Sequence, residues 1–506
     1  MKKDQQQSNH PGKKSYCSGF SDQSDDSDGI FFFDDAKIVS RKGMYFSGPD
    51  MKKQGKVFAG EETYYTVFCC SVLTPAETGS NWRMYYLDES NSGQQNRRII
   101  TRYAESSDGN SWDRNPADRD GKLSFNGLPP EAECRLASVI PPTNGDSWRL
   151  FGWVFAPGGC IRFLTFSSDD GVEWNCLNFD NPCLLHPNDL EAGGERGFDG
   201  LTPGFEFVKG DKTASMSELY AKRRLLSNDA TAVYRLPDGR FEMYSIWLAD
   251  NPVNGKNYCA YDNAPTICRV IQKRYSDDGI RWSDPQVNIT PDAEDPDMMQ
   301  FYYLAVTRYR NWTLGLLGDY PCEKQIIEPE FVISRDQGNN WQRPFRSQPW
   351  IKAEGEDSGA FLIHPARTMV DAGDHWKIFY NSSYFRHNNF MQEKPQPRKR
   401  DLKLAKIPKK RLMGLSGSGI IETAPLFLKG GDLFLDANIT GSVRYELLDI
   451  NGNPMAGCTA NDCLELRGDS TRHTLKWETG KHRELVWRIA SIRFHVDRGT
   501  MFFLEP

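Results

Sequence analysis

The stretch Ser334-Arg335-Asp336-Gln337-Gly338-Asn339-Asn340-Trp341 is the best-formed copy of a short motif that occurs four times in the chain. In each copy Ser and Asp can bond nearby backbone amides, Gly supplies the positive-φ residue of a tight turn, and Trp packs into the apolar layer beneath. We call this motif the clasp. The other copies are one residue shorter: Ser106-Ser107-Asp108-Gly109 ending at Trp112, Ser168-Asp169-Asp170-Gly171 ending at Trp174, and Ser276-Asp277-Asp278-Gly279 ending at Trp282. Four copies, each after a β-rich run, indicate an internal repeat.

Each clasp ends a group of strand-like runs in the order expected of one β-propeller blade, from the innermost strand outward. The runs of the first group are Thr63–Leu73, Trp82–Leu87 and Ile99–Glu105. Those of the next three are Cys134–Ile140, Trp148–Phe155 and Ile161–Phe166; Ala230–Leu236, Arg240–Trp247 and Cys268–Tyr275; and Phe301–Tyr309, Thr313–Leu317 and Glu330–Ile333. A fifth group, Ala360–Val370, Trp376–Tyr380 and Leu402–Ile407, has no clasp. The sequence therefore predicts an all-β chain built on a five-bladed β-propeller.

The chain divides into three predicted regions. Residues 1–28 are rich in Lys, Gln, Ser and Asp and are expected to form a disordered tail. Residues 29–411 are assigned to the propeller, which begins with an apolar strand at Ile30–Val39 and carries an insertion at Leu185–Arg224 that we expect to form a rim or lid. Short alternating strands separated by turn residues predict a small β-sandwich over residues 412–506.

The composition argues against several classes of function. The formal net charge is −6 over 506 residues and there is no long basic run, so nucleic acid is not expected as a partner. No apolar run is long enough to predict a membrane span, and no apolar stretch of signal-peptide length is present near the N-terminus, which makes the cytoplasm the default location. The twelve cysteines lack paired metal-binding spacing and are expected to be mostly reduced and buried. No pattern indicates an oligomeric state.

Acidic residues are concentrated where the predicted innermost strands begin. Because blades radiate from one axis, only these positions can meet around a common funnel. The acids there are Glu61, Glu62, Glu131, Glu133, Asp229, Asp297, Glu356 and Asp357. A ring of carboxylates suits the cleavage of a glycosidic bond, which needs one protonated acid and one ionised carboxylate. Each of these acids could equally be a salt-bridge partner of Arg135, Arg235, Arg308 or Arg367.

From this set we predict four catalytic residues. Glu133 is the expected general acid, Asp229 the base or nucleophile, Asp357 an orienting partner, and Glu62 a reserve candidate. The pair Asp34-Asp35 is an alternative, and a structural role for it in the first strand is equally compatible with the sequence. The scheme requires no cofactor and no metal.

The same blades supply candidate substrate-binding side chains. Aromatic faces suit the apolar C–H side of a sugar ring, and inter-blade packing is the alternative role for such residues. The predicted binding residues are Tyr65, Arg308, His364 and His387. Either histidine could hydrogen-bond a ligand, but two isolated histidines do not predict a metal site.

The clasps, together with Phe32-Phe33-Asp34-Asp35, Trp82-Arg83-Met84-Tyr85-Tyr86 and Tyr103-Ala104-Glu105-Ser106, resemble the five-bladed propeller proteins related to glycoside hydrolase families 32 and 43. The segments Gly441–Asp449, Asp462-Cys463 and Gly468–Thr474 resemble the C-terminal β-sandwich of a bacterial group of these proteins. The resemblance implies a catalytic trio of two Asp and one Glu, with Glu as the acid. Glu133-Cys134 is similar to the Glu-Cys pair that carries this acid, although Arg135 stands where the family has Pro.

We therefore predict a glycoside hydrolase that acts on a poly- or oligosaccharide. Two alternatives remain open. A non-catalytic glycan-binding propeller would lack a close pair of inner carboxylates. A sialidase-like enzyme would bring three arginines together to bind a substrate carboxylate and would use a Tyr nucleophile.

Overall fold

The computed structural model describes residues 29–58, 64–90, 99–114, 116, 120–143, 145–186, 189, 191, 225–227, 229–250, 267–354, 360–388 and 399–506. The predicted tail, residues 1–28, and nearly all of the predicted lid, 185–224, lie outside these ranges. Within them the regular secondary structure is almost entirely β-strand. The short helices are α1 (Pro75–Thr78) and the 3-10 turns Asp35–Lys37 and Lys481–Glu484.

The first three strands of the chain pair with strands that are distant in sequence. They are β1 (Ile30–Phe31), β2 (Ile38–Ser47) and β3 (Lys52–Lys56). The apolar strand predicted at Ile30–Val39 is interrupted, because Asp34 accepts a hydrogen bond from the amide of Ala36 (3.0 Å) and caps a 3-10 turn.

Five sheets form the blades of the propeller. Blade one consists of β4 (Tyr64–Leu73), β5 (Trp82–Ser90) and β6 (Ile99–Ser106). Blade two consists of β7 (Ser124–Asn126), β8 (Glu133–Ile140), β9 (Trp148–Ala156), β10 (Cys160–Ser168), β11 (Glu173–Cys176) and β12 (Leu184–Leu185). Blade three consists of β13 (Thr231–Arg235), β14 (Phe241–Asp250), β15 (Ile267–Ser276) and β16 (Gln286–Ile289). Blade four consists of β17 (Met299–Tyr309), β18 (Trp312–Pro321) and β19 (Glu328–Ser334). Blade five consists of β20 (Leu362–Pro365), β21 (Val370–Asp371), β22 (His375–Ser383) and β23 (Arg400–Pro408). The predicted all-β fold with a five-bladed β-propeller is confirmed.

The ring of blades is closed by the N-terminal segment. Strand β3 pairs antiparallel with β23, placing Gly55 opposite Leu404. The strand that precedes blade one therefore completes blade five, which fastens the two ends of the propeller by backbone hydrogen bonds.

The clasps have the geometry predicted from the sequence. In the second clasp the Ser168 hydroxyl accepts from the amide of Gly171 (2.8 Å), and Asp170 Oδ1 accepts from the amides of Val172 (2.8 Å) and Glu173 (2.9 Å). Trp174 is fully buried. The glycines of all four clasps, Gly109, Gly171, Gly279 and Gly338, have φ between 66° and 79°.

Each clasp also contacts a side chain of an adjacent blade. Tyr85 of blade one donates to the carbonyl of Gly171 in blade two (3.0 Å). Lys273 of blade three donates to the carbonyl of Gln337 in blade four (3.0 Å). Lys377 of blade five donates to the carbonyl of Asp108 in blade one (2.9 Å), across the closure of the ring. The clasps thus hold blade to blade at the periphery.

The C-terminal strands form a second, seven-stranded unit. They are β24 (Gly414–Thr423), β25 (Leu426–Lys429), β26 (Leu433–Leu448), β27 (Leu466–Leu475) and β28 (Val486–Glu505). Their order is β2-β24-β28-β26-β27, and β1 and β25 also pair with β28. The predicted boundaries assigned residues 29–411 to the propeller, whereas β1 and β2 lie in this second unit. Both ends of the described chain therefore build it.

The second unit contacts the propeller through aromatic side chains and one buried arginine. Phe31 and Phe503 pack with Tyr309 of blade four in a common core. Arg411 donates to Asp436 (2.7 Å) within the second unit and to Asp50 (2.7 Å) in the segment that leads into the propeller. Among the described residues no helix is both long and apolar enough to span a bilayer.

Candidate functional site

A cavity of about 360 Å³ opens where the innermost strands begin. Residues from all five blades line it. Its lining includes Phe68, Leu87 and Ile99 of blade one; Arg135, Trp153 and Phe155 of blade two; Asp229 and Thr231 of blade three; Tyr302 of blade four; and Leu362, His364, Phe385, His387 and Arg400 of blade five. Three predicted site residues, Asp229, His364 and His387, thus share one cavity.

Asp229 precedes β13 and is the one carboxylate among the described residues that line this cavity. Its side chain is 22% exposed. Arg269 Nε donates to Asp229 Oδ2 (3.0 Å) and the Tyr302 hydroxyl donates to Oδ1 (3.2 Å). Arg269 also donates to Gln300 Oε1 (3.1 Å) and lies over the ring of Tyr302, 5.2 Å from its centroid. The carboxylate is therefore fixed from two sides while part of it remains open to the cavity.

A directed chain of hydrogen bonds ends at Asp229. Gln325 Nε2 donates to the Tyr320 hydroxyl (2.6 Å), which lies 3.0 Å from His387 Nδ1. His387 Nε2 lies 2.9 Å from the Tyr302 hydroxyl. Because the single Tyr302 proton is directed at Asp229, Nε2 of His387 is the donor to Tyr302. Both ring nitrogens of His387 are therefore engaged by tyrosine hydroxyls.

His364 lies on β20 among aromatic rings. Its ring centroid is 6.0 Å from that of Tyr302 and 6.2 Å from that of Phe68. Burial, together with the nearby Arg400 and His387, lowers the pKa of His364 to about 3. A neutral imidazole in this position can exchange hydrogen bonds with a sugar hydroxyl but adds no charge.

Glu133, the predicted general acid, begins β8 at the edge of the cavity. Its carboxylate accepts hydrogen bonds from the amide of Ile99 (3.0 Å) and from Arg135 Nε (3.2 Å). Glu133 is therefore held by a backbone amide and by the guanidinium of Arg135. Its role as general acid stays a prediction.

Two arginines form part of the cavity wall. Arg135 lies over the ring of Phe155, with Cζ 4.1 Å from the centroid. Arg400 lies over Phe385 at 4.8 Å and donates to Glu89 Oε2 (3.1 Å). A third guanidinium, that of the buried Arg269, lies behind the wall against the ring of Tyr302.

Other predicted site residues lie elsewhere. Arg308 forms an ion pair with Glu242, which is fully buried and also pairs with Lys273 (3.2 Å), so Arg308 joins blades and does not line the cavity. Asp34 pairs with Arg335 of the fourth clasp, which supports its structural alternative. Glu62, Asp357 and the side chain of Tyr65 lie outside the described residues. Their catalytic and binding roles stay predictions.

Sequence reasoning missed Arg269 and Arg400. Arg269 is 4% exposed and follows Cys268 within an apolar run of β15, and a charged residue in such a run is a detectable sign of a buried ion pair. Arg400 begins β23 within a basic run and has no comparable local sign. Among the described residues no cluster of His, Cys, Asp or Glu is arranged to hold a metal ion.

The five-bladed propeller with this axial cavity can be compared with known proteins. No protein-family model matches the chain. No curated protein matches it either. Among solved structures, an N-acetylgalactosamine deacetylase from F. plautii in complex with blood group B trisaccharide is 13% identical, with 73% of this chain and 97% of that chain covered and a TM-score of 0.42.

Two further structures are enzymes of glycoside hydrolase family 43. One, from Xanthomonas citri in complex with xylose, is 10% identical, with 71% and 90% of the two chains covered and a TM-score of 0.39. The other, a β-xylosidase/α-arabinofuranosidase from a compost microbial metagenome in complex with xylotriose, is 11% identical, with 72% and 95% covered and a TM-score of 0.39. Because the TM-scores lie below 0.5, the fold assignment rests on the strand topology described above.

Proposed function

We propose that the protein is a glycoside hydrolase whose reaction takes place in the axial cavity. The observation that carries the proposal is the placement of Asp229, a partly exposed carboxylate fixed by Arg269 and Tyr302 in a cavity of about 360 Å³ built by all five blades. Cavities of this size accommodate a small sugar or part of an oligosaccharide.

In this proposal Asp229 acts as base or nucleophile. The bonds from Arg269 and Tyr302 occupy one direction on each carboxylate oxygen and leave further lone pairs for a water or a sugar carbon. Fixing the carboxylate before substrate arrives reduces the entropy lost on reaching the transition state.

The proton donor is a second carboxylate, and Glu133 is the residue predicted for this role. Its carboxylate accepts hydrogen bonds from the Ile99 amide and from Arg135. Asp357 was predicted as an orienting partner and Glu62 as a reserve candidate. A donor about 5 Å from Asp229 would give retention of configuration, and one roughly 6.5 to 9.5 Å away would give inversion.

The cavity wall suits a carbohydrate. Trp153, Phe155 and Phe385 contribute aromatic surface, which packs against the C–H faces of sugars. His364 contributes an imidazole group that can bond a hydroxyl group, whereas the two ring nitrogens of His387 are engaged by Tyr302 and Tyr320.

The test is a screen of chromogenic glycosides and polysaccharides followed by Asp229→Asn. This variant keeps the shape of the side chain and removes its charge, so it should still fold, with a lower Tm because the buried Arg269 loses its charged partner, and lose at least about 1,000-fold in kcat. Asp238→Asn is the matched control, because Asp238 lies in an exposed turn, paired with Arg240. Wild-type turnover by Asp229→Asn would remove this residue from the mechanism, and binding of glycans without any turnover would favour a glycan-binding propeller.

One observation favours a second candidate, a sialidase-like hydrolase. Arg135 and Arg400 line the cavity, Arg269 lies behind Asp229, and the Tyr302 hydroxyl donates to Asp229, which could serve as the base for a Tyr nucleophile. Each of these arginines already pairs with a carboxylate, so an anionic sugar would have to compete with Glu133, Asp229 and Glu89. Turnover of sialosides together with no turnover of neutral glycosides would select this candidate.

A further inference from the structure

Below the large cavity a second, narrow space of about 30 Å³ continues along the propeller axis. Phe68, Ala137, Ala230 and Thr231 line both spaces, so the narrow one forms the floor of the wide one. Its remaining lining is largely apolar, apart from Arg367, which follows β20. The volume is enough for one water molecule or one monatomic ion.

Arg367 brings a charge into this space without a counter-ion among the described residues. Its Nη1 donates to the carbonyl of Val233 (2.8 Å), and its guanidinium lies 5.1 Å from the centroid of Tyr234. Neither contact carries a full negative charge. No carboxylate of the described residues lies within ion-pair distance of Arg367. Glu77, whose charge acts to raise the pKa of Arg367, accepts a hydrogen bond from the amide of Thr74 instead (2.8 Å).

Two donors that border the space lack hydrogen-bond acceptors among the described residues. They are the Nε atom of Arg367 and the hydroxyl oxygen of Thr231, two atoms without exposed surface in residues that are half-buried. A guanidinium N–H can only donate, so its partner must accept. Leaving a buried charged donor unsatisfied is costly, and buried charges in proteins are normally paired.

We propose that the axial space binds a small monovalent inorganic anion of the halide class, chloride under ordinary conditions, held by Arg367 and Thr231. A halide accepts hydrogen bonds from both donors and neutralises the guanidinium charge. Water can also accept these hydrogen bonds, but it does not neutralise the charge. A metal cation at this point of the axis would be repelled by Arg367. The site is independent of the catalytic proposal, because none of its donors takes part in that mechanism.

The test measures thermal unfolding of the full chain at constant ionic strength while sodium gluconate, whose anion is too large for the space, is exchanged for sodium chloride. Binding to the folded state should raise Tm in a saturable way by on the order of 1–3 °C, with bromide acting like chloride. Arg367→Met should abolish the rise. Arg240→Met, a change of the same size at an exposed arginine, should retain it.

A second measurement does not depend on the folding of any variant. Crystals of the wild-type protein soaked in bromide should show an anomalous difference peak between Arg367 and Thr231. A featureless axial space in that map, or a Tm that responds equally to gluconate and chloride, would overturn the proposal in favour of a bound water. If Arg367→Met fails to fold, Thr231→Val should still weaken the apparent chloride affinity several-fold, and an unchanged affinity would count against the site.

Discussion

Nε2 of His387 lies 2.9 Å from the hydroxyl oxygen of Tyr302. This contact joins blade five to blade four at the cavity and completes a chain of hydrogen bonds that connects Gln325 with Asp229. The chain leaves Tyr302 as the last member before the proposed catalytic carboxylate. Its hydroxyl is therefore the group through which the neighbouring blades orient Asp229.

Replacing Tyr302 by Phe should impair turnover more than stability. The change removes one bond to Asp229 and one to His387 but keeps the ring under which Arg269 packs. We expect kcat to fall by about 10- to 100-fold and the free energy of unfolding by about 1 kcal/mol. Steady-state kinetics and urea unfolding measure the two effects.

Tyr384→Phe is the matched control for that experiment, because the Tyr384 hydroxyl bonds Asp401 (2.7 Å) and the residue does not line the cavity. It should leave kcat unchanged. A loss in Tyr302→Phe beyond about 1,000-fold would instead support a Tyr nucleophile, as in the second candidate function.

The second clasp offers a test of how much these motifs stabilise the propeller. Asp170→Ala removes the acceptor for the amides of Val172 and Glu173. Because loss of a helix N-cap removes an acceptor in the same way, we expect the free energy of unfolding to fall by about 1 kcal/mol. Asp169 is its exposed neighbour in the same turn, so Asp169→Ala should cost less than about 0.5 kcal/mol. Equal urea midpoints for the two variants would contradict the capping role.

Local sequence patterns were sufficient to predict the blades. The clasps contain their own hydrogen-bond donors and acceptors within a few residues, so their geometry depends little on the rest of the fold. The strands that precede them show the alternation expected of half-buried β-structure. Pairings between distant segments could not be predicted in this way. Nothing in the polar segment Lys52–Lys56 indicates that it will complete blade five, since its partner β23 lies about 350 residues away.

The candidate site, like the fold, could be predicted from the sequence only in part. Asp229, His364 and His387, all among the predicted site residues, line one cavity. The prediction could not distinguish an acid open to the cavity from one engaged by a neighbouring arginine, as Glu133 is by Arg135. Ion pairs across blades, such as that of Arg308 with Glu242, depend on side-chain positions that periodicity does not specify.

Low pH should lower the free energy of unfolding by protonating aspartates of the clasps. Although burial acts to raise it, the pKa of Asp278 is lowered to about 2 because the amides of Arg281 and Ile280 donate to the carboxylate. An unfolded Asp titrates near 4, so the stabilisation is present above about pH 4 and is lost as the pH falls toward 2. Urea midpoints measured from pH 5 to pH 2 should fall less steeply for Asp278→Asn than for the wild type. Asp277→Asn, at an exposed position of the same clasp, should follow the wild-type curve.

A buried acid in blade four should oppose stability at neutral pH. Asp319 is 10% exposed and lies with Glu330 near a single cation, Arg343, which bonds Glu330 at 2.7 Å but is 4.0 Å from Asp319. Burial and the charge of Glu330 raise the pKa of Asp319 well above its usual range. A raised pKa in the folded state means that stability is lost as pH rises from the unfolded value near 4.

Asp319→Asn removes this effect and supplies an amide that can donate to Glu330. We expect the free energy of unfolding to rise by about 1 kcal/mol at pH 7, with the gain shrinking as the pH falls toward about 3, where Asp319 is protonated in both states. Glu294→Gln, an exposed carboxylate beside Arg346, is the control and should change little at either pH. A destabilised Asp319→Asn at pH 7 would show that the Asp319 carboxylate is ionised and held by Arg343 in the folded protein.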